Sequence, residues 1–132
     1  SYLATAENYR VLRELETSNA IVPLVGDFGG PKALRALGRY LSDHGATVTA
    51  FYTSNVEMYL FQTDAWKAFY ANVASFPVDS RSAFIRSVSN RSFQSSTPGM
   101  RAMTRLSSIA DVLSAAQGGR IEGYYDIIRM SH

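Results

Sequence analysis

The chain has 132 residues, a length that fits one domain or a piece of a larger one. Its hydrophobic fraction of 46% and aromatic fraction of 12% suit a packed core and exclude a disordered tail. The formal charge of +2 with scattered arginines argues against nucleic-acid binding, and the absence of cysteine excludes disulfides, thiolate metal sites and cysteine nucleophiles.

No apolar run approaches the ~20 residues that a membrane helix needs, so no membrane contact is expected. Ser1-Tyr2-Leu3-Ala4 leads directly into a polar helical pattern, which does not read as a signal peptide. The expected setting is cytoplasmic, and Ser1 in place of Met reads as a processing or engineered boundary.

Thr5 is a candidate N-cap for a first helix over 6–17, with Glu7 at its positive end and Tyr9, Leu12 and Leu15 in helical spacing. The stretch from Ile21 to Asp27 reads as a buried strand over about 20–27. Pro31 then suits the first position of a helix whose apolar face is Ala33, Leu34, Leu37, Tyr40 and Leu41, with Gly45 as its stop. Ala46 to Thr53 is β-branched and aromatic, hence a second strand. Strand, helix and strand predict a parallel βαβ unit.

Ser54 and Glu57 match a capping box, and helical patterns continue through Trp66, Phe69, Tyr70 and Val73 to Pro77. Ala83 to Val88 reads as a third strand and 89–104 as a polar surface loop around Thr97-Pro98-Gly99. Ser108 and Asp111 suggest another capped helix that Gly118-Gly119 ends. Tyr124 to Met130 reads as a final strand.

The whole chain is therefore expected to be a single α/β domain, 1–132, with four strands. In open α/β sheets, ligands bind beyond the carboxyl ends of the strands. That places candidate ligand-binding residues in the first turn (Gly26, Phe28, Gly29, Gly30) and in the second (Ser54, Asn55, Glu57), with Arg86 beside them and Asp27 as a candidate catalytic base or acceptor for a substrate amine or hydroxyl. Asp27 also suits a turn former, and the glycines suit turn geometry. The G-x-G-x-x-G register of a dinucleotide site and the Gly-Lys-Ser/Thr of a P-loop are both absent. Arg86, inside an apolar strand, either pairs with a buried acid such as Asp27 or Glu57 or faces solvent. His44 and His132 have no ligand spacing around them, so no metal site is expected.

The segments VPLVGDFGGPKALRALGRYL, TVTAFYTSNVEMYLF and SAFIRSV resemble a bacterial family described as S-adenosylmethionine-dependent methyltransferase-like. The resemblance is densest over about 2–90 and corresponds to the second half of its members. It implies a Rossmann-like half-sheet of four strands in the order 4-5-7-6. Ile21–Asp27 would be strand 4, Ala46–Thr53 strand 5, Ala83–Val88 strand 6 and Tyr124–Met130 strand 7. It also implies S-adenosylmethionine as cofactor, with Asp27 facing a small-molecule substrate in a cleft that a missing N-terminal half completes. The competing expectation is a non-catalytic α/β interaction module. It would self-associate or bind a partner through the exposed edge of the Val- and Ile-rich first strand.

Overall fold

The structure is a computed structural model that describes residues 5–18, 20–54, 56–89 and 102–132. Helix α1 (Ala6–Thr17) starts where Thr5 predicts: the Thr5 hydroxyl accepts from the Asn8 amide at 3.1 Å. That bond satisfies one of the donors a helix start leaves open. Yet α1 buries no residue.

The strand expected over 20–27 does not form. A strand needs a neighbour for its N–H and C=O groups. Among the described residues, the backbone of 22–26 has none. Helix α2 (Ala33–Asp43) follows and turns Leu34 and Gly38 inward. A Cβ on Gly38 would stand 2.9 Å from Ser75 Oγ, so only glycine lets this helix lie so close. Gly45, at φ +64°, ends α2 as expected.

Strand β1 (Ala50–Tyr52) occupies only part of the expected 46–53. Helices α3 (Val56–Gln62) and α4 (Trp66–Val73) connect it to β2 (Ala83–Ser89), with which it pairs in parallel. A parallel crossover thus exists, but it joins different strands from those predicted. Strand β3 (Ala102–Ser108) pairs antiparallel with β2, setting Ser107 opposite Phe84 and Arg105 opposite Arg86. The first three residues of β3 lie in the stretch read as a loop; the strand's Thr and Ser residues face outward or into polar contacts and hide the alternation. Thr97-Pro98-Gly99 lies outside the described residues. Helix α5 (Ile109–Gln117) starts as predicted, with Ser108 Oγ accepting from the Asp111 amide at 3.3 Å.

The last expected strand is instead helix α6 (Tyr124–Arg129). Its run of Tyr and Ile favours strand by propensity, but Asp126 decides otherwise. Its carboxylate accepts from the amides of Glu122 at 2.8 Å and Gly123 at 3.2 Å. The Gly123 amide is the N-cap donor of the helix start, and satisfying it together with the amide before it offsets a β-propensity of under ~1 kcal/mol.

Among the described residues the sheet is therefore three-stranded, mixed, and ordered β1-β2-β3. This replaces the four-strand order 4-5-7-6, because one expected strand is unpaired and another is a helix. The core gathers on one face of the sheet. The Phe51 ring lies within 6.2 Å, centroid to centroid, of Phe28, Phe69, Phe76 and Phe84. Each such ring, fully buried, contributes about 1.5–3 kcal/mol. On the other face Tyr52, Ile85 and Leu106 form a row across the three strands, with Tyr52 and Leu106 exposed.

Replacing Asp126 with Ala leaves the amides of Glu122 and Gly123, just before α6, without their acceptor. We expect a loss of about 1 kcal/mol, read as a lower urea midpoint at unchanged slope.

Candidate functional site

The turn between 26 and 30 is built from its own backbone. Asp27 Oδ1 accepts from the Gly29 amide at 3.0 Å, and the Asp27 carbonyl accepts from the Gly30 amide at 3.1 Å. Asp27 thus shapes the turn, and it is exposed. The turn is tied down by Asn72, a buried residue of α4 that sequence reasoning passed over. Its Nδ2 donates to the carbonyls of Phe28 at 3.0 Å and Gly30 at 2.7 Å, while its Oδ1 accepts from Arg35 Nε at 2.8 Å. An Asn amid the apolar positions of α4 was the available signal. Phe28 stacks on Phe69, so its side chain belongs to the core. A Cβ on Gly26 would fall 2.2 Å from Ala33 Cβ, and one on Gly29 3.1 Å from Ala65 Cβ. These glycines serve close packing.

Beyond β1 the chain bends at Ser54, whose φ is +50°. Asn55 lies outside the described residues. Glu57 does not serve as the carboxylate of a capping box with Ser54. It turns into the core and meets Arg86, which answers which of its two readings Arg86 follows. Arg86 Nε donates to Glu57 Oε1 at 2.6 Å and Nη2 to Oε2 at 3.1 Å, a two-pronged pair. Both residues are within 1% of complete burial.

Their surroundings complete the valences. Thr53 Oγ1 donates to Glu57 Oε1 at 2.9 Å, and the Tyr70 hydroxyl donates to Oε2. Arg86 Nη1 donates to the hydroxyls of Ser107 and, at 3.3 Å, Ser131. Each Glu57 oxygen thus accepts two bonds, and Arg86 uses four of its five N–H groups. The guanidinium also lies 4.8 Å from the centroid of the Phe84 ring. Burial first, and then the Glu57 charge beside it, push the Tyr70 phenol far above its ordinary value of about 10.

Chemically this cluster is an ion pair in which every carboxylate oxygen and every guanidinium nitrogen has a partner. No hydrogen bond or ion pair joins Asp27 to Glu57 or Arg86 among the described residues. Two concavities on the surface of the described residues are lined by none of the predicted site residues. One, of about 350 Å3, lies between α4 and α5 at Trp66, Ala71 and Leu113. The other, of about 580 Å3, is an apolar groove between 22–25 and α2. Among the described residues no group of three or more His, Asp or Glu could hold a metal ion.

A family model, a domain of unknown function (DUF7790), matches residues 1–117. The chain belongs to that family. No curated protein matches it. The family's span takes in Glu57, Tyr70, Arg86 and Ser107 and ends before α6, whose neighbour Ser131 supplies the last bond to Arg86.

Two outcomes follow for the ion pair. Arg86→Met leaves Glu57 buried without its cation and is expected to cost about 3–5 kcal/mol in chemical denaturation. Tyr70 stays protonated in the fold while an unfolded tyrosine ionises near pH 10. Its contribution is therefore whole below pH 10 and falls as pH rises above it. Between pH 9 and 11 the wild type should lose about 1.4 kcal/mol more stability than Tyr70→Phe.

Proposed function

We propose that the chain is a non-catalytic α/β interaction module that associates with a second copy of itself through its N-terminal arm. One observation carries this reading. Val22, Leu24 and Val25 stand out from the fold at 50% exposure or more, on a backbone that pairs with no described residue. Apolar side chains on unpaired extended backbone are what strand or groove partners recognise. Tyr40, Leu37 and Leu41 of α2 share one groove with Val22, Leu24 and Val25, and on α1 Tyr9, Val11 and Leu15 are exposed as well. Isolated apolar residues on a surface are ordinary, whereas a contiguous patch marks a binding face.

The chemistry of the polar residues supports the same reading. Asp27 is engaged in its turn, and the Glu57–Arg86 pair is sealed from solvent. No observation favours S-adenosylmethionine as a ligand. The setting proposed is cytoplasmic, in keeping with a chain free of cysteine. Among the described residues no helix is long and apolar enough to cross a membrane.

Sedimentation velocity over a micromolar concentration series tests this. The wild type is expected to shift from monomer to dimer as concentration rises. Leu24→Asp with Val25→Asp should weaken the association at least about tenfold. A wild type that stays monomeric throughout, or calorimetric binding of S-adenosylmethionine, would overturn the proposal.

A further inference from the structure

We infer that the groove between 22–25 and α2 is the seat of helix α1 from a second copy of the chain, each copy placing its α1 in the other's groove. This deepens the self-association reading and rests on it. The groove of about 580 Å3 is walled by Val22, Leu24 and Val25 on one side and by Leu37, Tyr40 and Leu41 on the other. No residue of its own α1 lines it. Helix α1, for its part, presents an apolar stripe of Val11, Leu12 and Leu15 with Tyr9 at its margin, and buries none of them. The helices match in length. At 1.5 Å per residue, α1 spans about 18 Å and α2 about 16.5 Å.

Charge chooses this occupant over an unrelated apolar one. At about 100° per residue, Glu7 and Glu14 fall on one border of the α1 stripe and Glu16 on the other. Arg10 and Arg13 fall on the back, away from the stripe. On α2 the border of the groove beside Ala36 carries Arg39, with Lys32 at the helix start. All four of Glu7, Glu14, Lys32 and Arg39 are exposed. Glu7 and Glu14 are seven residues apart, and so are Lys32 and Arg39. Two turns of helix separate each pair by about 10.5 Å, so two acids on one copy can meet two bases on the other at matching spacing. The two-fold arrangement repeats the contact and closes it, as an isologous dimer requires.

The test uses two charge-reversed full chains. One carries Glu7→Lys and Glu14→Lys, and the other Lys32→Glu and Arg39→Glu. Alone, each presents like charges at both contacts and should associate at least tenfold more weakly than wild type. Mixed in equal amounts, they restore both contacts and should form a one-to-one heterodimer by native mass spectrometry and sedimentation. Recovery on mixing also shows that neither variant is merely misfolded. If both variants dimerise alone like wild type, or if the mixture stays monomeric, the inference is overturned. The first result would leave self-association standing through some other contact, whereas a monomeric wild type would remove both readings.

Discussion

The ion pair between Glu57 and Arg86 is the constraint on which the rest of the fold depends. It fastens the first turn of α3 to the middle of β2. It thereby sets how the α3–α4 crossover lies on the sheet. Removing two charges from water costs several kcal/mol per ion, and good geometry with full hydrogen bonding is needed to offset it. Here both requirements are met, by Thr53 from the end of β1, Tyr70 from α4, Ser107 from β3 and Ser131 after α6. One side chain, Arg86, therefore collects bonds from elements spread over most of the chain. An apolar pair of equal volume would pack in many ways, whereas this pair accepts one arrangement.

The molecule divides into a part that satisfies itself and a part that does not. From Phe28 onward the aromatic cluster, the ion pair and Asn72 close the core without outside help. The turn at Asp27–Gly30 belongs to this closed part, pinned to α4 by two hydrogen bonds from the Asn72 side-chain amide. Before it, α1 and 21–25 have helical and extended backbone with almost nothing packed on them. A core that needs no completion leaves that arm as the surface on which association would act.

Local chemistry was legible in the sequence where a single residue decides it. Thr5, Ser108 and Gly45 each mark a helix end through a bond or a backbone angle that reaches only a few residues. The Ala83–Val88 strand was legible as a short, mainly apolar run that follows a polar stretch. Partnership over distance was not. Ile21 to Val25 has the composition of a buried strand, yet burial depends on a neighbour supplied from elsewhere in the chain, and none arrives from the described residues. Glu57 fits a local cap as well as a distant arginine, so its spacing from Ser54 could not reveal which bond wins. The α6 segment shows the reverse case. Its β-prone residues drew the reading to strand, while one carboxylate three residues beyond Gly123 held the helix. The resemblance to methyltransferase-like proteins organised these misread segments into an order that the sheet does not have.

The central claim is that the core is complete in one copy and that the N-terminal arm is ordered by a second. Hydrogen exchange followed by mass spectrometry on the unmodified chain, at dilute and concentrated protein, tests it most directly. The account predicts that amides of β2, α4 and α5 are equally protected at both concentrations. Amides in α1, and in the extended stretch after it, should gain protection only when concentrated. Protection of that arm that does not change with concentration would contradict the account.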